Sequence, residues 1–150
     1  MRTPLIRSLP VLLLGACLLT SHVHAQPQAT PSPPTLLRFA PGQAALNVSG
    51  SVTGYQSQEY EFDGSVGGEV TVLLDYPGQA SLYHNVIAPS GALVFNGSLE
   101  GRRFQANLRE GGRYRVRVYL MRNDARRGKR AAFTLQIRQA GVQTQPPSGP

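Results

Sequence analysis

The stretch "RYRVRVYL", Arg113 to Leu120, alternates Arg113, Arg115 and Arg117 with Tyr114, Val116 and Val118. Successive side chains of an extended strand point to opposite faces, so this pattern gives a strand with one apolar and one cationic face, as in a half-buried antiparallel sheet. The stretch "QEYEFDG", Gln58 to Gly64, repeats the device with opposite charge: Glu59, Glu61 and Asp63 alternate with Tyr60 and Phe62. Facing one another across a sheet, the two rows neutralise each other in exposed pairs worth a few tenths of a kcal/mol each.

Working outward, the same period of two predicts strands at Leu36–Phe39, Ala45–Tyr55, Glu69–Leu74, Ser81–Ile87, Ala92–Asn96, Arg103–Leu108 and Ala131–Arg138. Turn signals such as Pro41-Gly42, Asp63-Gly64, Gly67-Gly68, Pro77-Gly78 and Gly111-Gly112 separate them, and no stretch carries a convincing helical period. The class is all-β, with about eight strands in a single domain. Spacing alone fits a β-sandwich or a small barrel.

The ends bound that domain. "MRTPLIRSLPVLLLGACLLTSHVHAQ" sets Arg2 and Arg7 ahead of an apolar run from Leu9 to Leu19 and a small-residue exit at Val23-His24-Ala25. That reads as a secretory signal peptide over 1–25, with no integral membrane span in the mature chain. In a competing reading Leu14-Gly15-Ala16-Cys17 is a lipobox, Cys17 is lipidated and the protein is a membrane-anchored lipoprotein. A Pro-rich linker over 26–35 and a flexible tail over 141–150 leave 36–140 for the domain. Cleaved after Ala25, the mature chain has no cysteine and builds its core without disulfides.

Charge divides along the chain. Between Phe39 and Gly101 there are six acids and no Lys or Arg, whereas Arg102 to Arg138 carry twelve bases against Glu110 and Asp124. Without the signal the balance is thirteen bases to eight acids, +5. The densest cluster is "MRNDARRGKR", where Arg122, Arg126, Arg127, Lys129 and Arg130 have only Asp124 beside them, at a connection between strands that ordinarily takes two to five small residues. It reads either as a solvated hairpin end that resists edge-to-edge association or as an acid-seeking probe. Nucleic acid is disfavoured as its target, because the chain is exported and no aromatic-interleaved basic surface is present. An anionic membrane or lipopolysaccharide surface stays open.

Catalysis is not expected. The mature chain has one histidine, His84, at a strand position suited to a partly buried, hydrogen-bonded structural imidazole. No metal-ligand spacing, nucleophile elbow or phosphate loop occurs, and no cofactor is implied. Glu59, Glu61 and Asp63 lie two apart on one strand face, and paired carboxylates hydrolyse glycosides, but the arginine row would keep these ionised. The sequons Asn47-Val48-Ser49 and Asn96-Gly97-Ser98 arise easily by chance.

The combination "SGSVTGYQSQEYEF", "GGEVTVLL", "LYHNVIAPSG" and "GGRYRVRVYLMRNDARRGKRAAFTLQI" resembles the periplasmic inhibitors of goose-type lysozyme of Gram-negative bacteria. The resemblance runs from about Leu37 to Ile137. Its most telling pieces are Ser49-Gly50 followed by Gly54-Tyr55, and the run Arg122-Asn123-Asp124-Ala125-Arg126. It implies a compact antiparallel β-sandwich, a periplasmic location, and goose-type lysozyme as a protein partner whose substrate cleft is plugged. Carried over, the partner-binding residues are Tyr55, Arg122 and Arg126, with Asn123 and Asp124 supporting the loop, and Asp124 is expected to brace Arg122 or Arg126. The segment between Ile87 and Arg109 departs from that family. The alternative is a non-catalytic accessory β-sandwich of the pre-peptidase C-terminal kind, whose "YEF…GGEVTV…GGRYRVRV" rhythm is shared, binding glycan or an anionic envelope surface.

Overall fold

Alternation becomes strands wherever one face can be buried. The computed structural model describes residues 32–140. The expected signal over 1–25 with Cys17, the linker as far as residue 31 and the tail over 141–150 lie outside the described residues. The elements in order are β1 (Thr35–Leu36), β2 (Ala45–Thr53), β3 (Ser57–Gly64), β4 (Glu69–Asp75), β5 (Leu82–Ile87), β6 (Leu93–Asn96), α1 (Gly97–Glu100), β7 (Arg103–Asn107), β8 (Gly112–Leu120), α2 (Arg122–Arg126) and β9 (Arg130–Ala140). They form two packed sheets, β1-β3-β8-β5-β6 and β2-β9-β4-β7. The architecture is the all-β sandwich, with nine strands among the described residues.

The two charged stretches are neighbours in the register that their charges call for. Glu59 lies opposite Arg117, Glu61 opposite Arg115 and Asp63 opposite Arg113. Arg113 reaches Asp63 at 3.2 Å and Glu61 at 3.8 Å; Arg115 reaches Glu61 at 3.3 Å and Glu59 at 3.5 Å; Arg117 reaches Glu59 at 3.8 Å. The arginines are about half exposed, so these pairs fix register more than they stabilise, each within about 0–1 kcal/mol. A slip of one residue would turn the apolar set to solvent and the charges inward.

The opposite faces make the core. Phe62 stacks on Tyr114 with ring centroids 5.6 Å apart, Tyr60 meets Phe133 edge-on at 6.3 Å, and the Val70, Val72, Leu74, Leu135 and Ile137 side chains of the second sheet are fully buried against them. Gly50 leaves room for side chains from both layers. A β-carbon there would fall within 2.7 Å of the Tyr60 hydroxyl and of the Phe133 ring, distances that real β-carbons do not reach.

Four expectations change. The strand expected at Leu36–Phe39 is instead the two-residue β1, starting inside the supposed linker at Thr35 and running parallel to β3, so the sheet is not wholly antiparallel. The strand expected to reach Tyr55 stops at Thr53, because Gly54 adopts a left-handed φ of 57° and turns the chain. Two single-turn helices interrupt the strands. In α1 the Asn96 side chain accepts the Ser98 N–H at 3.2 Å, while Glu100 accepts the Asn96 N–H at 2.8 Å. His84 is fully buried rather than partly so, lies 4.9 Å from the Phe95 ring, and neither ring nitrogen has a hydrogen-bond partner among the described residues. Burial lowers its pKa to about 4, so the imidazole is neutral in the folded protein at pH 7.

Candidate functional site

The cationic connection after β8 is a turn of helix held from inside. Asp124 and Ala125 point into the end of the sandwich and are buried, whereas Arg122, Asn123, Arg126 and Arg127 are exposed. The backbone closes on itself through the Ala125 N–H donated to the Met121 carbonyl at 2.9 Å, and Gly128, at a φ of 63°, lets the chain leave the helix. Asn123 accepts the Asp124 N–H at 2.8 Å, fixing the first turn.

Asp124 does not brace Arg122 or Arg126. Its carboxylate takes the Lys129 ammonium at 2.8 Å and the Ser81 backbone N–H at 2.8 Å. A short side chain directed inward cannot reach guanidinium groups that project outward from the same helical turn. The Lys129 hydrogen bond, and next the Ser81 N–H, hold the Asp124 carboxyl below its ordinary pKa. Met121 also donates its N–H to the Ser81 carbonyl at 2.8 Å, so the loop is tied to the entry of β5 at two points. The one acid of the run is thereby used internally. Among the described residues, Arg122, Arg126 and Arg127 form no ion pair, and Arg130 reaches only the Ser51 hydroxyl, at 3.3 Å.

The β2–β3 turn is attached to this loop. Gly54 donates its N–H to the Lys129 carbonyl at 2.9 Å, and a β-carbon at Gly54 would stand 3.5 Å from the Ala125 carbonyl oxygen. Tyr55, the next residue, is 57% exposed although it is a large aromatic. The Gly54-Tyr55 pair and the Arg122–Arg126 run, 67 positions apart between Tyr55 and Arg122, thus share one end of the molecule. That end presents an aromatic with a polar tip beside uncompensated guanidinium groups on a short, internally hydrogen-bonded scaffold. Such a surface can engage carboxylates bidentately around an aromatic anchor.

Two supports of this arrangement were not read from the sequence. Lys129 counted only as one more cation of the run, although its spacing of five from Asp124 is the available signal. Ser81 contributes a backbone group, which no residue pattern reveals. Among the described residues no helix is long and apolar enough to cross a membrane, and no three His, Cys, Asp or Glu side chains gather as metal ligands would.

No family model matches the chain, and no curated protein sequence does. Solved structures do match. The chain is 29% identical to Aeromonas hydrophila PliG, a periplasmic lysozyme inhibitor of g-type lysozyme, with a TM-score of 0.63 over 71% of this chain and 95% of that one. Salmonella Typhimurium PliG, described in the same words, gives 22% identity and a TM-score of 0.59 over 73% and 99%. The pre-peptidase C-terminal domain of a Bacillus anthracis collagenase gives 14% identity and a TM-score of 0.54 over 74% and 100%, a likeness of fold alone. Over nearly their whole length, then, the chain is similar to solved periplasmic inhibitors of g-type lysozyme.

Proposed function

We propose that this protein is an inhibitor of goose-type lysozyme, exported by its 1–25 signal to the periplasm, and that its 36–140 domain plugs the enzyme's substrate cleft. The observation that carries the mechanism is the inward use of Asp124, which leaves Arg122 and Arg126 without an internal counter-ion at one end of the fold. Glycoside hydrolysis runs on a pair of carboxyl groups lying in a groove. A groove of that kind attracts cations, and guanidinium binds carboxylate in a planar fork at a lower desolvation cost than ammonium.

In this reading Tyr55 packs at the centre of the interface, Arg122 and Arg126 pair with cleft carboxylates, and Asn123 and Asp124 hold the loop. A turn already closed by hydrogen bonds loses little conformational entropy on docking. The protein acts by occlusion and needs neither catalysis nor a cofactor. Its likeness to the PliG proteins supports the reading at the level of the whole domain. The accessory-module alternative shares the fold but leaves the uncompensated loop without a role.

The test is goose-type lysozyme activity on a cell-wall substrate with increasing amounts of the purified protein, and chicken-type lysozyme in parallel. Near-stoichiometric loss of goose-type activity is expected. Full activity at micromolar excess of the protein would refute the proposal.

A further inference from the structure

Beside Tyr55 the outer face of the first sheet sinks into a recess of about 360 Å³, lined by Tyr55, Gln56, Ser57, Asn85, Arg117 and Tyr119 and touched by the edge of the mostly buried Leu120. That volume lies near the lower end of the range of small-molecule sites, about 300–1,000 Å³. Register explains why these residues meet. Ser57 pairs with Tyr119 across β3 and β8, while Tyr83 pairs with Tyr119 and Asn85 with Arg117 across β5 and β8. The residues between them, Leu82, His84, Val86, Val118 and Leu120, are buried in the core, so Tyr83, Asn85, Arg117 and Tyr119 all face outward.

Three features mark this face as a binding surface. Tyr83 and Tyr119 stand with ring centroids 6.4 Å apart, tilted by 43° and half-buried, two flat apolar plates carrying hydroxyl groups. The Tyr119 hydroxyl donates to the Asn85 side-chain carbonyl at 3.3 Å, which leaves both amide hydrogens of Asn85 free to donate outward. Arg117 is also the least engaged member of the arginine row. Arg113 and Arg115 each meet two carboxylates, one of them at 3.3 Å or closer, whereas Arg117 meets only Glu59 at 3.8 Å.

We propose that this recess binds an oligosaccharide of N-acetylated amino sugars. The C–H face of a pyranose ring is flat and apolar and stacks on an aromatic plate, while its rim of hydroxyls needs donors and acceptors around that plate. Tyr119 supplies the plate within the recess, and Tyr83, beside it on β5, a second plate at the border. Asn85 donates to the acetamido carbonyl, Arg117 donates to ring or substituent oxygens, and the Gln56 and Ser57 side chains complete the rim. The site does not depend on the lysozyme reading, although Tyr55 borders both. It would hold the protein on a polymer of acetylated sugars while the α2 end stays free.

The experiment is an amide-resolved NMR titration of the full protein with the N-acetylglucosamine trimer, with cellotriose as the control lacking acetamido groups. Saturable shifts confined to the ends of β3, β5 and β8 are expected. Asn85→Ala and Tyr83→Ala should each weaken the trimer by about tenfold or more while retaining lysozyme inhibition. Arg126→Ala should lose inhibition and keep sugar binding. The spectra themselves report whether each variant is folded, and Asn85→Asp, which keeps the shape but removes the amide donors, replaces Asn85→Ala if that variant is not. Absence of saturable shifts at millimolar trimer, equal binding of cellotriose, or unchanged trimer affinity in the variants overturns the proposal. So does loss of inhibition without loss of sugar binding in Asn85→Ala or Tyr83→Ala, which would make the recess part of a protein interface.

Discussion

Acidification should destabilise the fold through one residue. His84 titrates near 6.5 when exposed and at about 4 in the folded protein, because burial between the sheets disfavours the imidazolium. Its folded pKa lies below its unfolded pKa, so between those values the unfolded chain binds more protons and stability falls as pH falls. The penalty is absent above about 6.5, grows as pH drops through the window, and is complete below about 4. A difference of about 2.5 pKa units at about 1.4 kcal/mol per unit gives a total of about 3–4 kcal/mol. About 2 kcal/mol of it is already lost at pH 5. That is a large share of the roughly 5–15 kcal/mol by which such domains are stable. Urea unfolding followed by tyrosine fluorescence at a series of pH values between 7.5 and 4.5, windows chosen around these pKa values, measures it directly. His84→Leu keeps an apolar side chain of similar size beside Phe95, and should flatten the pH dependence at a cost of under about 1.5 kcal/mol at neutral pH. Wild-type stability that stays level across the window, or a slope that persists in His84→Leu, would refute the reasoning.

Other substitutions test other parts of the structure. Gly50→Ala should destabilise by about 1–3 kcal/mol, read as a lower melting temperature, because the added methyl meets the Tyr60 hydroxyl and the Phe133 ring. Asp124→Asn should lower the melting temperature and speed tryptic cleavage in the α2 loop, and Lys129→Ala should do less because the Ser81 N–H still holds the carboxylate. The Asp124 carboxyl titrates below its ordinary value when folded, so its contribution persists above the unfolded carboxylate pKa of about 3.9 and is lost only as pH falls through the lower folded value, beneath the His84 window. For lysozyme binding, Arg122→Ala or Arg126→Ala should cost about 2–5 kcal/mol, thirtyfold or more in inhibition constant. Arg113→Ala, on the neutralised row, should cost well under about 1 kcal/mol. Equal losses from all three would mean diffuse charge attraction instead of a shaped contact.

The strands were legible because a sheet with one wet face writes itself into the chain at every second residue, and the Glu59–Asp63 and Arg113–Arg117 rows even announced their partner. What a five-residue helix such as α2 lacks is length: one turn leaves no period to detect, and its orientation rests on the Ser81 backbone and on Lys129. Tyr55, Arg122 and Arg126 could be singled out as residues, but their meeting at one end depends on the Gly54 N–H reaching the Lys129 carbonyl, a bond between main-chain groups. The recess was invisible for a related reason. Asn85 and Tyr119 are 34 residues apart, and only the β5–β8 register brings them together.

The position of the last strands governs how the chain can be assembled. The middle of one sheet is β8, lying between β3 and β5, and β9 lies between β2 and β4 in the other. Their contacts span long separations, 50 residues from Asp63 to Arg113 and 89 from Asn47 to Gln136. A chain delivered amino end first therefore leaves β2 unpaired, and β3, β4 and β5 each open along one edge, until its final segments arrive. Contacts of that range form slowly, on the millisecond-to-second scale of non-local β folds, and the waiting edges are open to pairing with other chains. A polypeptide cut before Arg130 would lose more than one strand, since β2 and β4 would have no neighbour to join them and the second sheet would come apart at its centre.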